Sequence, residues 1–147
     1  MARDDGSRHP PASVIPNLVE FLGKKQAHND SGAAVVFALA RLAPTDDQAV
    51  QATVKFMQLT DLDPNVRVDT LNALATPSIT NRSVILAIAE GAQPLQSEEI
   101  RLAAFHALQT IGKPALLLTE AQVRRVAEDK NENEKIRTAA QEFLRVN

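Results

Sequence analysis

The sequence of 147 residues is long enough for one domain with a substantial core, and its 44% of hydrophobic residues excludes wholesale disorder and fibrous classes. The formal net charge is −2, and because acidic and basic residues are interspersed, the sequence shows no basic surface for nucleic acid or anionic lipid. The sequence has no cysteine, which excludes disulfides and thiolate metal sites and favours the cytoplasm, and it has no apolar run long enough to span a membrane.

The predicted elements alternate between helices and short turns from residue 12 onward. Residues 1–11 combine charge, Gly and Pro without apolar periodicity, so we expect a flexible tail. The five aromatic residues are all Phe, and a core built from Ala, Leu, Val and Ile suits closely packed helices better than a β-sandwich. Turn signals and apolar spacing together predict eight helices near residues 13–23, 31–43, 46–58, 64–75, 79–91, 97–111, 119–129 and 133–145.

Polar residues at five of the predicted helix starts have the chemistry of N-caps. Thr45, Thr119 and Asn131 each precede a Gln or Glu by three residues, which is the spacing of a capping box or a variant of it. Asp63 stands before a proline that is pre-set for the first helical turn. Ser97 precedes two glutamates that suit the positive end of a helix dipole. We expect these residues to start the third, fourth, sixth, seventh and eighth helices.

Every second predicted helix can be superposed on the others by sequence. The alignment is anchored on Val66, Ile100 and Ile136, each of which is followed by an arginine. A small residue follows each anchor by four positions and a leucine follows it by eight. An earlier helix joins the alignment at Ala34, without the arginine. The anchors at 34, 66, 100 and 136 are 32, 34 and 36 residues apart, a period typical of paired-helix repeats.

The segment Asp-Pro-Asn-Val-Arg at 63–67, followed by Thr-Leu-Asn-Ala-Leu at 70–74, resembles the second helix of a HEAT repeat. Residues 13–22, with a proline in the opening turn, resemble the first helix of such a repeat. The resemblance implies an all-α fold, a right-handed α-α superhelix (solenoid) of about four HEAT-like helix pairs, of the PBS-lyase type, with eight helices. The repeats would lie near residues 12–44, 45–76, 77–112 and 113–147.

Arginine recurs at one position of the repeat, directly after the anchor. These side chains could form a basic ladder on one face. Their recurrence is better explained by pairing with turn carboxylates or carbonyls of the adjacent repeat. We therefore interpret Arg67, Arg101 and Arg137 as structural residues that organise the stack of repeats.

The HEAT resemblance implies that the second helices line a concave face of the solenoid. Non-core positions on these helices form a stripe that runs from apolar to polar, and an apolar patch with a polar rim commonly marks an interaction site. The predicted partner-binding stripe consists of Val36, Ala40, Val68, Asn72, Leu102, His106, Gln109 and Glu142. In the alternative interpretation, packing between repeats or the N-terminal tail covers its apolar members.

The sequence shows no constellation of residues typical of an active site or a metal site. His106 has no second histidine or cysteine at the spacing of a metal ligand. Adjacent carboxylates such as Glu98 and Glu99 do not face each other on a helix. Gly-rich phosphate loops and nucleophiles with a base in register are also absent. We therefore predict no catalytic residue, no bound metal and no cofactor.

These features favour a non-catalytic scaffold or adaptor that binds a protein or peptide on its concave face. We expect a monomer or weak oligomer that binds neither nucleic acid nor membrane. HEAT-like proteins also include phycobilin lyases and DNA glycosylases, so the resemblance leaves an enzyme or accessory factor as an alternative. The sequence lacks the basic stripe and aromatic platforms that a DNA-binding enzyme of this kind needs. A structural segment of a larger solenoid is a further alternative.

Overall fold

The computed structural model describes residues 13–146, and over this range the chain is all-α, as the sequence predicts. Eight α-helices and a short 3₁₀ helix, Lys25–His28, are joined by turns, and no strand occurs among these residues. The predicted tail at 1–11 lies outside the described residues. The α-helices are α1 Val14–Leu22, α2 Asp30–Leu42, α3 Asp47–Met57, α4 Pro64–Ala73, α5 Arg82–Glu90, α6 Glu98–Ile111, α7 Lys113–Glu128 and α8 Glu134–Val146.

The helices form two layers. The odd-numbered helices contact one another in chain order, from α1 to α7, and the even-numbered helices do the same from α2 to α8. Between the layers the backbones of α1 and α2, of α5 and α6 and of α7 and α8 approach closely, whereas those of α3 and α4 lie farther apart. The helices therefore bury their apolar faces against helices of neighbouring pairs, and in three of the four pairs the two partner helices also lie close together.

One hydrophobic cluster takes buried side chains from all eight helices. Its largest fully buried members are Phe56, Phe105 and Phe143, one each from α3, α6 and α8. Ala104 and Ala107 are completely buried on α6, and such small side chains let neighbouring helices approach closely. The core is therefore filled mainly by small and aliphatic side chains, as the composition predicts.

The even helices share one register, which their N-caps set. The side chains of Asn29, Asp63 and Ser97 accept hydrogen bonds from backbone N–H groups in the first turns of α2, α4 and α6. Asn133 does the same for α8, accepting from two backbone N–H groups at 2.8 and 3.4 Å. A buried anchor residue follows each N-cap by three positions. The anchors are Gly32, Val66, Ile100 and Ile136, which are 34, 34 and 36 residues apart.

The predicted anchor of the first repeat, Ala34, is wrong by two residues. Ala34 is exposed, whereas Gly32 is buried. Counted from Gly32, the fourth and eighth positions are Val36 and Ala40, which are buried like their counterparts on α4 and α6. The sequence alignment was misled by Leu42, which lies eight residues after Ala34, as Leu74 lies eight residues after Val66. About half of the Leu42 surface is exposed.

Gly32 is required because the 3₁₀ helix lies directly against the start of α2. A Cβ atom at Gly32 would lie 1.8 Å from the Ala27 carbonyl oxygen and 2.5 Å from Cζ of Phe56. Both distances are far shorter than van der Waals contact. The Ala27 backbone and the Phe56 ring therefore occupy the space that an anchor side chain takes in the other even helices.

The seventh helix begins earlier than predicted. Gly112, with a φ of 82°, separates α6 from α7, and α7 starts at Lys113 with Pro114 in its first turn. Thr119, the predicted start, is buried within the helix, where its hydroxyl donates to the Ala115 carbonyl at 2.7 Å. The predicted start at Thr119 is therefore wrong.

Two other predicted N-caps are displaced by one or two residues. Asp46, not Thr45, caps α3 and accepts from the backbone N–H of the third residue after it. Asn133, not Asn131, caps α8. In both cases the true cap lies nearer to the first buried residue of the helix. The predicted caps of α4 and α6 are confirmed.

We expect Gly32→Ala to lower the free energy of unfolding by about 1–3 kcal/mol, because the added methyl group must displace the Ala27 backbone and the Phe56 ring. Denaturant unfolding followed by circular dichroism measures this loss. Gly23→Ala is the matched control, since a Cβ at Gly23 meets nothing closer than 3.4 Å, and it should be neutral or stabilise by up to about 1 kcal/mol. Equal stability of Gly32→Ala and the unaltered chain would contradict the close approach.

Candidate functional site

The two residues of the predicted stripe that lie on α2 are buried in the core. Val36 is 0% exposed and Ala40 is 5% exposed, so neither can contact a partner. Their assignment to an exposed surface is wrong because the positions were counted from Ala34 instead of Gly32. In the corrected register the equivalent residues of α2 are Ala34, Ala38 and Arg41.

The other six residues of the predicted stripe lie at equivalent positions of α4, α6 and α8. Their shared register places them on one face of the even layer. The exposed members are Asn72, His106 and Glu142, and the half-buried members are Val68, Leu102 and Gln109. We call these six residues, with Ala34, Ala38 and Arg41, the even-helix face. Its role in binding a partner stays a prediction.

A shallow groove of about 440 Å³ lies between α6 and α8 on the even-helix face. The half-buried Leu102 and Ala139 line it together with exposed polar side chains, among them Lys135. Glu98 connects the two helices beside it, because its carboxylate accepts from Asn133 Nδ2 at 2.7 Å and lies 3.4 Å from Lys135 Nζ. The groove therefore combines an apolar patch with charged groups, and polar side-chain contacts join the two helices beside it.

The end of α2 carries a contact that sequence reasoning missed. Arg41 Nη1 donates to the Ala73 carbonyl of α4 at 2.9 Å and to the Phe37 carbonyl at 3.1 Å. Its guanidinium carbon lies 3.4 Å from the centroid of the Phe37 ring, within the range of a cation–π interaction. The spacing of Phe and Arg by four residues was the available signal. Arg41 thus connects α2 to α4 at the edge of the even-helix face.

Two of the recurring arginines bind carbonyl groups of their own helix pair. Arg67 donates through both Nη atoms to the carbonyls of Met57 and Leu59, at the end of α3. Arg137 Nη1 donates to the Lys130 carbonyl, between α7 and α8, at 3.4 Å. The expected partners in the adjacent repeat are therefore wrong for Arg67 and Arg137. A side chain in the first turn of a helix points toward the helix N-terminus, so it reaches the turn that precedes its own helix.

Arg101 differs from these two arginines because it also binds the next helix pair. Its Nε donates to the Ala92 carbonyl at 3.0 Å, in the turn before α6. Its Nη1 and Nη2 donate to the two carboxylate oxygens of Glu132, before α8, at 2.9 and 2.6 Å. The side chains of Arg101 and Glu132 are only 7% and 11% exposed. This bidentate pair joins the third and fourth helix pairs.

The environment of Glu132 stabilises its ionised form. The hydrogen bonds from Arg101 lower the pKa of the Glu132 carboxyl below its ordinary value of 4.5, and the backbone N–H of Asn133 and the positive charge of Arg101 lower it further. Burial acts in the opposite direction, but it is the weaker effect. Glu132 therefore stays ionised at neutral pH, where it neutralises the buried guanidinium.

Within residues 13–146, no cluster of three or more His, Asp or Glu side chains is placed to hold a metal ion. In the same range, no helix has the length and apolar character needed to cross a membrane. Comparisons of the chain with protein-family models, with curated proteins and with solved structures found no match. Inferences about function therefore depend on the chain's own residues and their geometry.

We expect Glu132→Gln to lower the free energy of unfolding at pH 7 by about 1.5–3 kcal/mol, because Arg101 loses a charged bidentate partner. The folded-state pKa of Glu132 is lowered, so its contribution is complete above the unfolded-state pKa and disappears as the pH falls through the folded-state value. The difference between the two proteins should therefore shrink below about pH 4.5.

Urea unfolding at a series of pH values between 7 and 3 checks this dependence. Glu120→Gln is the matched control, because Glu120 also pairs with an arginine, Arg124, at 2.7 Å, but on an exposed surface. We expect this control to change stability by less than about 1 kcal/mol. Equal losses in the two variants, or a loss for Glu132→Gln that does not depend on pH, would contradict the role of the buried pair.

Proposed function

We propose that the chain is a non-catalytic cytoplasmic scaffold or adaptor that binds a partner protein or peptide on its even-helix face. In this proposal the four helix pairs form a right-handed solenoid of HEAT-like repeats. Two observations support the architecture: neighbouring helices of each layer contact one another in chain order, and all four even helices carry an N-cap three residues before a buried anchor. Such stacked pairs typically present extended binding surfaces.

The observation that carries the proposed function is the groove between α6 and α8. Leu102 and Ala139 bring apolar surface to it, and the charged side chains around them can orient a partner by hydrogen bonds and ion pairs. The hydrogen bond between Asn133 and Glu98 connects the starts of the two helices. A partner would therefore meet a preformed surface and would not have to order it on binding.

We expect the double variant His106→Glu, Glu142→Lys to recover at least about tenfold less partner than the unaltered chain, because both exposed side chains lie on the even-helix face. Quantitative mass spectrometry after affinity capture from the native source measures recovery. Leu102→Glu, which places a charge in the groove, should have the same effect. Circular dichroism melting shows whether each variant keeps its fold.

The matched control is Ala121→Glu, Glu128→Lys, which makes the same changes of charge at two exposed positions of α7. This control should recover the partner at the level of the unaltered chain. Partner recovery that survives His106→Glu, Glu142→Lys in a folded protein, or that falls equally in the control, would exclude the even-helix face as the binding surface.

A further inference from the structure

The even helices form three successive interfaces, between α2 and α4, α4 and α6, and α6 and α8. Each interface has one residue at each of the same two positions of the register. One is the residue directly after an anchor, and the other lies four positions before the next anchor. The three pairs of positions are Ala33 with Leu62, Arg67 with Gln96, and Arg101 with Glu132. The chain therefore offers three versions of one structural position for comparison.

The first and third pairs are satisfied within the chain. Ala33 and Leu62 are both apolar and buried. Arg101 and Glu132 form the buried bidentate ion pair, in which all three guanidinium nitrogens of Arg101 donate hydrogen bonds. The apolar pair buries no polar group, and in the ion pair the carboxylate of Glu132 neutralises the buried guanidinium.

The second pair lacks the carboxylate that the third pair has. Arg67 and Gln96 are half-buried, and no hydrogen bond joins their side chains in the described structure. Arg67 donates one hydrogen bond from each Nη atom, to the carbonyls of Met57 and Leu59. Nε and the second hydrogen of each Nη donate to no group among residues 13–146. Three donors of a cation therefore remain for an external acceptor.

A partly enclosed pocket of about 220 Å³ lies where the missing carboxylate would be. Arg67 and Gln96 both line it. Apolar side chains of α3, α4, α5 and α6 and of the turn after α3 complete the lining. The apolar lining residues are Met57, Leu62, Leu71, Ala87 and Ile100.

We propose that this pocket binds a small organic carboxylate with an apolar tail. The carboxylate accepts hydrogen bonds from Arg67, as Glu132 does from Arg101, and the tail lies against the apolar lining. Arginine is suited to this role because its planar donors match a carboxylate in a bidentate geometry. The exposed Glu90 also lines the pocket and disfavours an anion there, although solvent screens its charge.

The size and chemistry of the pocket define the ligand class. At about 220 Å³ it is smaller than the usual sites for drug-sized molecules, so it suits an acid of a few carbon atoms. The pocket lies on the buried side of α4 and α6, away from Asn72 and His106 of the even-helix face. The inference therefore does not depend on the proposed scaffold function.

Isothermal titration of the full chain with hexanoate, and with hexanamide as the neutral analogue, tests the proposal. We expect hexanoate to bind at least about tenfold more tightly than hexanamide, because only the acid supplies the charge-assisted hydrogen bonds. The Nε–H resonance of Arg67 should shift on titration in a nitrogen–proton NMR spectrum. Glu90→Gln should tighten hexanoate binding, because it removes a like charge from the pocket.

Gln96→Glu is the decisive variant. It gives the second interface a carboxylate at the position that Glu132 occupies in the third interface. We expect it to raise the melting temperature and to weaken hexanoate binding at least about tenfold, because the new carboxylate occupies Arg67. Gln93→Glu, the same change at an exposed position outside the pocket, should alter neither property. Arg67→Met should also abolish binding.

An acetylated dipeptide that ends in a free leucine carboxylate, compared with its C-terminal amide, distinguishes a chain end from a free acid as the source of the ligand. The site is supported if hexanoate or the dipeptide acid binds to the unaltered chain and this binding is lost in Gln96→Glu. The ligand that binds more tightly identifies the source. Absence of binding for both acids overturns the proposal. It is equally overturned if binding survives undiminished in a folded Gln96→Glu variant.

Discussion

Stacking of the even helices in one register is the constraint on which the rest of the structure depends. A helix pair cannot bury its own apolar faces, so α2, α4, α6 and α8 must present equivalent positions to their neighbours. The N-caps fix where each even helix begins, and a buried anchor follows three residues later. From this register it follows which side chains reach the preceding turn, as Arg67 does, and which lie on the even-helix face, as His106 does.

Most helices could be predicted because their local chemistry agrees with their place in the fold. Asp63 and Ser97 combine a cap acceptor with a well-formed first turn, and both are N-caps in the structure. Thr119 misled the prediction because a threonine hydroxyl can also bond a carbonyl four residues earlier inside a helix. The true start of α7 was marked by Gly112 and Pro114, a glycine that ends one helix before a proline that opens the next.

The candidate site was predictable only where the repeat could be aligned by its side chains. For α4, α6 and α8 the anchors are Val or Ile, and the positions counted from them lie on one face. In α2 the anchor is Gly32, which has no side chain to mark it, and its neighbours in space, Ala27 and Phe56, come from other elements. Local sequence does not report such a tertiary contact. The two-residue error that placed Val36 and Ala40 on the surface follows from it.

The residue pairs between successive even helices change in character along the chain. The interface that joins α6 to α8 has a complete ion pair between Arg101 and Glu132. At the preceding interface, which joins α4 to α6, Arg67 and the neutral Gln96 line the same pocket. There the carbonyl bonds of Arg67 are polar links between α3 and α4. A group that filled the pocket would therefore contact both α3 and α4, because its lining comes from both.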